Sequence, residues 1–149
     1  MEATIKPLLT REEVSFSQTA TRKGIPNLIP DAEFKNALIL NDNIVKPLRE
    51  KFPDLKVSSW YRSPALNKAI SGSPTSQHME GKAVDLITDN NSVLFHYIRE
   101  NMDYDQIIWE FGDKAPAWVH VSFDEKNNRK QALKAVRLKT KTIYRPWIY

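Results

Sequence analysis

The spacing of apolar residues predicts helices in the first third of the 149-residue chain. Apolar residues recur at helical spacing from Asp31 to about Lys51, so one long helix is expected there. Pro47 should kink or divide this helix, because proline has no N–H to donate and its ring clashes with the preceding turn. Before it, the sequence Thr10-Arg11-Glu12-Glu13 is a capping box that predicts a short helical turn.

The rest of the chain is dominated by short runs of β-branched and aromatic residues, which predict strands. The predicted strands are 55–60, 82–87, 105–111, 118–123 and 140–148. Short helices are predicted from Pro64 to Ile70 and from Asn91 or Ser92 to about Met102. The basic stretch after Asn128 is expected to be helical or extended. This order of elements predicts an α+β fold, with a small antiparallel sheet flanked by helices.

Length and composition favour one domain spanning residues 1–149. A chain of this size can bury a sizeable core, and it carries no repeat or linker-like tract that would divide it. The absence of cysteine excludes disulfides and thiolate metal sites, so His, Asp and Glu are the expected metal ligands. No segment reaches membrane-spanning length. The N-terminal sequence lacks the features of a secretory signal, so synthesis in the cytoplasm is expected.

The net charge of +4 is concentrated toward the C-terminus, in a basic segment covering residues 126–149. Such a segment is compatible with an anionic partner, either a nucleic acid or an anionic cell wall, and equally with a simple solvated face. The charge pattern alone leaves these alternatives open.

Two of the three histidines lie where a ligand is expected. His78 lies in a loop rich in Ser, Thr and Gly, seven residues before Asp85, which interrupts an apolar strand and needs a metal or a cationic partner there. His120 alternates with apolar residues, so it projects from the face opposite the core. The same alternation puts Ile107, Trp109 and Phe111 in the core. It directs Glu110 to the face of Asp85 and His120. Spacing alone also allows His78 and His120 to be structural histidines and Asp85 to be a paired aspartate. His96 is interpreted as structural.

The segment from Ser58 to Leu86, followed by Ile-Ile-Trp-Glu-Phe-Gly and Trp-Val-His-Val-Ser-Phe, resembles the D-alanyl-D-alanine carboxypeptidase family of zinc peptidases, which includes phage endolysins. The matching positions are Ser76-Gln77-His78, Gly81, Ala83, Asp85 and Trp118-Val119-His120. Weaker matches lie at Thr19-Ala20, Gly24-Ile25, Lys46-Pro47-Leu48-Arg49 and Tyr61-Arg62-Ser63-Pro64. The resemblance covers about residues 14–125.

The resemblance implies a zinc ion held by His78, Asp85 and His120, with the remaining position open for water. In part of the family, the catalytic glutamate stands three residues before the last histidine, where this chain has Ala117. The subgroup that it resembles most carries Glu-Phe-Gly on the preceding strand, so Glu110 is the expected general base. Its alternatives are a solvated carboxylate and an ion-pair partner.

Arg62 is expected to clamp the substrate and stabilise negative charge on the carbonyl oxygen, although it could instead pair with a structural carboxylate. Ser76, Gln77 and Trp118 are the other candidate substrate contacts, while Trp60, Tyr61 and Trp109 are expected to pack in the core or wall the cleft.

The implied fold is hedgehog/D-Ala-D-Ala-peptidase-like, and the implied partner is a peptidoglycan stem peptide, cut by carboxypeptidase or endopeptidase action. A monomer with no nucleic-acid partner is expected, acting on the cell wall after holin-type release or as part of a virion. Two rival hypotheses are a non-catalytic zinc-containing cell-wall-binding module and a basic nucleic-acid-binding protein.

Overall fold

A computed structural model describes residues 8–148 as an α+β fold, in which one six-stranded sheet is covered by helices. The helices are α1 (Arg11–Ser15), α2 (Gln18–Lys23), α3 (Asp31–Leu40), α4 (Lys46–Lys51), α5 (Pro64–Ala69) and α6 (Asn91–Asn101). The strands are β1 (Lys56–Ser59), β2 (Ala83–Ile87), β3 (Gln106–Glu110), β4 (Trp118–Ser122), β5 (Gln131–Arg137) and β6 (Thr142–Pro146). Within residues 8–148, no helix has the length and apolar character needed to cross a bilayer.

The strand order is β1-β2-β4-β3-β5-β6, and every neighbouring pair is antiparallel except β3 and β5. The α+β class is therefore confirmed, but the sheet is mixed rather than wholly antiparallel. After β4 the chain passes through a loop and returns in the direction of β3, so β5 pairs with β3 in parallel. Half of the basic C-terminal segment thus belongs to the sheet, and the extended alternative for the stretch after Asn128 is correct.

The long helix predicted from Asp31 to about Lys51 forms as α3, a π-helical turn over Asn41–Val45, and α4. In that turn the N–H of Lys46 donates to the carbonyl of Asn41, five residues earlier. The wider turn precedes Pro47, which lies in the first turn of α4. Local widening of a helix is a common response to a residue that interrupts the usual hydrogen bonds. Proline consequently leaves the helical path continuous, with no break between α3 and α4.

The core lies between one face of the sheet and the helices. Strand residues at alternate positions are fully or almost fully buried with residues of α3, α4 and α6, as the period of two requires. The principal members are Leu40, Leu48, Val84, Leu86, Leu94, Phe95, Ile98, Ile107, Trp109, Val119 and Val121. His96 packs edge-on against the rings of Phe95, Trp109 and Trp147, in keeping with the structural reading. The opposite face of the sheet is therefore free to carry polar side chains.

Phe111 does not belong to this core, contrary to the prediction from alternation. Strand β3 ends at Glu110, and Phe111 adopts a left-handed backbone with φ of 65°, followed by Gly112 at 84°. Two successive residues with positive φ reverse the chain direction and break the period of two. The Phe111 ring consequently packs edge-on against Trp118, at a centroid distance of 5.5 Å, on the polar face of the sheet.

Candidate functional site

Strand register places two of the predicted ligands side by side on the polar face. Asp85 of β2 lies directly opposite His120 of β4, and Ile108 of β3 lies on the far side of His120. Paired residues on neighbouring strands project from the same face, so the carboxylate and the imidazole meet above the sheet. Because β2 and β4 are interior strands, both residues are held by hydrogen-bonded neighbours on each side.

The third predicted ligand comes from outside the sheet. His78 lies in a 3₁₀ turn over Gln77–Glu80, in which the Ser76 hydroxyl accepts a hydrogen bond from the His78 N–H. The turn ends at Gly81, whose φ of 73° suits glycine. A Cβ at this position would lie 2.4 Å from the carbonyl oxygen of Glu33, so the turn packs directly against the backbone of α3. Glycine is therefore what allows the turn to approach α3 so closely.

His78, Asp85 and His120 converge in a buried cluster. Oδ1 of Asp85 lies 3.2 Å from Nε2 of His78 and 3.2 Å from Nδ1 of His120. The two imidazole centroids are 5.1 Å apart, and the three candidate ligand atoms all lie within 4.8 Å of one another. All three residues are less than 9% exposed. The structure thus brings together the three residues predicted as metal ligands.

The donor set fits a zinc ion. A tetrahedral ion with bonds of about 2.0–2.2 Å separates its ligand atoms by about 3.3–3.6 Å, close to both distances from Asp85. The carbonyl of Trp60 lies 2.6 Å from Nδ1 of His78 and can only accept, so Nδ1 carries a proton and fixes the ring. An outer partner of this kind is usual for zinc-binding histidines, and it directs the other ring nitrogen toward the cluster. Three buried nitrogen and oxygen donors can hold the ion and leave it one open position.

Asp85 is suited to bind a cation because it remains ionised despite its burial. Burial alone would raise the pKa of this carboxyl, but the charge of His78 and the hydrogen bonds from both imidazoles outweigh it. The net result is a pKa well below the usual range for aspartate. Asp85 is therefore ionised, and a metal that replaces the imidazole protons would keep it so, because both imidazoles bind a metal in their neutral form.

Arg62 lies beside the cluster in a network of polar side chains. Its Nη2 is 3.5 Å from Oδ2 of Asp85, while Nη1 donates to Oδ1 of Asn67 and Nε donates to the Ser59 hydroxyl. Its backbone N–H donates to the carbonyl of His78. Both alternatives for Arg62 are therefore compatible with the geometry, because it pairs with a carboxylate and also borders the open groove above the cluster.

Glu110 projects from the same face of the sheet, as alternation predicted. It lies opposite Trp118, two residues before His120 on β4, and opposite Ala135 on β5. Burial raises the pKa of Glu110 to about 7; His120 and Arg62 oppose this rise, and Asp85 reinforces it. A carboxyl with a pKa near neutrality can both accept and return a proton at physiological pH.

Ser76 and Gln77 have intramolecular partners and also line the groove. Gln77 donates through Nε2 to Oδ2 of Asp105, and the guanidinium of Arg129 donates through Nε to Oδ1 and through Nη2 to Oδ2 of the same carboxylate. Ser76 caps the turn that carries His78. These contacts position the His78 turn, and substrate contact by Ser76 and Gln77 stays a prediction. Trp118 also lines the groove. Trp60, Tyr61 and Trp109 are buried in the core, and Trp60 also borders the groove.

The cluster opens into a groove of about 1980 Å³ that crosses the polar face of the sheet. One wall comes from residues 10–19, and the opposite wall comes from strands β5 and β6. Pockets for small molecules usually measure about 300–1,000 Å³, so the groove is large enough for several residues of an extended chain.

Sequence reasoning missed several residues that support the site. Asn67 is buried, holds Arg62 through its side-chain oxygen, and donates to the carbonyl of Ser73. A Cβ at Gly72 would lie 2.1 Å from the side-chain oxygen of Asn67, so this glycine leaves room for the hydrogen bond between Asn67 and Arg62. A buried asparagine in a short helix has no distinctive sequence pattern. The pairing of Asp105 with Arg129 was equally hidden, because it joins residues 24 positions apart.

The fold and the buried cluster define a class of protein: an α+β domain with a nitrogen and oxygen metal site at the base of an open groove, as in zinc-dependent hydrolases. The family model described as Peptidase M15 matches residues 7–122. The chain belongs to this family of zinc-dependent peptidases. No curated protein matches the chain at a significant level.

Proposed function

We propose that this protein is a zinc peptidase that hydrolyses peptide bonds in the stem peptides or cross-links of bacterial peptidoglycan. The observation that carries the proposal is the buried cluster of His78, Asp85 and His120, with Glu110 beside it, in a groove large enough for an extended peptide. Membership of the M15 peptidase family supports the reaction type. Peptidoglycan as the substrate, and a role in phage lysis, rest on the resemblance noted in the sequence.

Zinc, when bound by His78, Asp85 and His120, would polarise the peptide carbonyl and activate water for attack at neutral pH. The protein supplies the other functions. Glu110 accepts the proton of the attacking water at its carboxylate and later returns a proton to the leaving amine. Burial raises the pKa of Glu110 to about 7, which suits both steps near neutral pH.

Arg62 provides positive charge next to this region. Its guanidinium is held by Asn67 and Ser59, so it is oriented before the substrate arrives. A fixed cation beside the reacting carbonyl stabilises negative charge on its oxygen without needing to reorganise. We propose this role for Arg62, together with substrate positioning.

Digestion of purified peptidoglycan by the zinc-loaded protein tests the proposal, with mass spectrometry of the released fragments. Removal of the base should lower kcat by about 10²- to 10⁴-fold in Glu110→Gln while the bound zinc is retained. Glu125→Gln, which changes an exposed glutamate, is the matched control and should behave as wild type. The fragment masses distinguish cleavage of a terminal residue from cleavage within the stem peptide.

The outcomes separate the proposal from its rivals. If Glu110→Gln retains zinc and full activity, the base assignment is wrong. If wild type binds peptidoglycan and zinc but releases no fragment, the protein is a binding module. Salt-sensitive binding to nucleic acid without either property would favour the third hypothesis.

A further inference from the structure

The hairpin formed by β5 and β6 lies beyond residues 7–122, the segment that matches the peptidase family. It nevertheless adjoins the site, because β5 pairs with β3 and places Ala135 directly opposite Glu110. Tyr144 of β6 lies opposite Ala135 in turn. Arg137 is two residues after Ala135, so it projects from the same face. The hairpin thus extends the polar face of the sheet past Glu110 and forms one wall of the groove.

Arg137 differs from the arginines nearest the cluster in forming no ion pair with a carboxylate of residues 8–148, although its charge lowers the pKa of Glu110 on the same face. Arg62 is paired with Asp85, and Arg129 is paired with Asp105. No carboxylate of residues 8–148 lies within ion-pair distance of Arg137, which instead stacks its guanidinium over the ring of Phe111, 4.7 Å from the centroid. Stacking on an aromatic face leaves the N–H groups at the edge of the guanidinium available to an acceptor.

The support beneath Arg137 is itself unusual. Phe111 has a φ of 65°, a backbone conformation that is rare for residues other than glycine and carries a conformational cost. This conformation directs the Phe111 ring onto the groove side, where it packs against Trp118 and under Arg137. The strained residue therefore holds an unpaired cation at the wall of the groove, on the same face as Glu110.

Tyr144 adds a neutral hydrogen-bonding group to the same wall. Burial raises the pKa of its hydroxyl, and the negative charge of Glu110 raises it further, while Arg62 opposes the rise. The phenol consequently stays protonated at neutral pH and can donate a hydrogen bond. A cation and a hydroxyl donor on one wall form a binding surface suited to an anionic oxygen acceptor.

We propose that Arg137, assisted by Tyr144, is a specificity-determining residue that binds a free carboxylate of the substrate peptide. The proposal rests on the peptidase function proposed above, and it assigns substrate selection to a hairpin outside the family-matched segment. The carboxylate has two possible sources, the C-terminus of the peptide and an acidic side chain. A guanidinium edge would recognise either group through the same pair of hydrogen bonds.

Three synthetic stem-type peptides distinguish these sources: one with both carboxylates free, one with the C-terminus amidated, and one with the side chain amidated. Binding is measured by calorimetry on the zinc-loaded Glu110→Gln protein, in which turnover is suppressed, and KM is measured on the otherwise wild-type chain. A hydrogen-bonded charge pair contributes about 1.5–3 kcal/mol, so Arg137→Gln should weaken binding of the free peptide by roughly 10- to 100-fold. Arg137→Lys should restore part of this loss.

Arg145→Gln is the matched control, because it removes the same charge from the same hairpin. Arg145 lies opposite Lys134, which pairs with Trp109 on the core-facing side of the sheet, so it projects away from the groove. The Arg145→Gln substitution should leave both peptide binding and KM unchanged. Circular dichroism of each variant confirms that the fold is retained.

The result that supports the proposal is a loss of discrimination. On the Glu110→Gln background, the protein that keeps Arg137 should bind the free peptide at least tenfold more tightly than one of the amidated peptides, and the protein that also carries Arg137→Gln should bind these two peptides equally. The amidated peptide that shows the difference identifies the source of the carboxylate. If the preference survives Arg137→Gln on that background, or if the protein that keeps Arg137 shows none, the assignment of Arg137 is wrong even where wild-type hydrolysis is normal. If wild type hydrolyses none of the peptides, the peptidase proposal fails, and the calorimetric comparison still decides whether Arg137 binds a carboxylate.

Discussion

Removing the charge of Asp105 should destabilise the protein only at pH values where this carboxyl is ionised. Asp105 is buried and accepts hydrogen bonds from Gln77 and from both the backbone and the guanidinium of Arg129. The side-chain hydrogen bonds from Arg129 are the main reason that the pKa of Asp105 is lowered from 3.8 to about 2, against the opposing effect of burial. Asp105→Asn and Arg129→Gln each remove one partner of this pair.

The magnitude follows from the pKa. At about 1.4 kcal/mol for each pKa unit, the drop from 3.8 to about 2 corresponds to about 2.5 kcal/mol of folding free energy. The Arg129 side chain is 51% exposed, so solvent screens part of this interaction, and about 1–2 kcal/mol is expected. Because the folded-state pKa is the lower one, the stabilisation is complete above the ordinary value and is lost as the pH falls through about 2. About half of it should remain near pH 3.

Urea unfolding at pH 7 and near pH 3 measures the effect, and an NMR titration of the Asp105 carboxyl measures its pKa directly. The difference between wild type and Asp105→Asn should shrink by about half between these two pH values. Asp103→Asn is the matched control, because Asp103 forms a largely exposed ion pair with Lys130 that should contribute at most about 1 kcal/mol. A destabilisation by Asp105→Asn that is the same at both pH values would refute the electrostatic reasoning and indicate a packing effect.

Two further predictions concern the metal cluster and the turn that supports it. Gly81→Ala should destabilise the fold by about 1–3 kcal/mol more than Gly24→Ala in thermal melts. Both residues have positive φ, but only a Cβ at Gly81 would meet the backbone of α3. Equal losses of stability in the two variants would show that the α3 contact is unimportant. Chelation should lower the melting temperature by about 5–10 °C, because zinc at 100 times its Kd contributes about 2.7 kcal/mol to a domain of this size. His120→Ala should abolish that difference, and an unchanged response to chelator in this variant would place the metal elsewhere.

The metal ligands differed in how far the sequence alone could predict them. Alternation along β4 directed His120 away from the core, and Asp85 was a candidate because a carboxylate in an apolar strand needs a partner; the register of β2 and β4 places both residues on one face. His78 lies in a turn with no such period, so its polar loop and its spacing to Asp85 made it a candidate, and the resemblance to the peptidase family implied its role as a ligand. The same alternation failed at Phe111, because two residues with positive φ end the strand before it.

Long-range pairings explain the remaining misses. The parallel pairing of β5 with β3 depends on the path of the loop after β4, which no local pattern specifies. Hydrogen bonds such as that from His78 to the Trp60 carbonyl join residues 18 positions apart, and they follow from the assembled fold rather than from composition. Most element types were therefore predictable, whereas the type of β5 and the support around the site were not.

The parallel pairing of β5 with β3 also affects solubility. Without residues 131–146, the N–H and C=O groups of β3 that now bond β5 would form a bare edge along Ile107, Ile108 and Trp109. Such an edge is a template for strands of other copies, and its apolar residues would favour that association. With the hairpin present, the outermost strand on this side of the sheet is β6, and its exposed Arg145 and Pro146 discourage pairing with strands of other copies. The C-terminal hairpin thus protects the sheet from edge-to-edge aggregation, and this structural role is independent of the substrate.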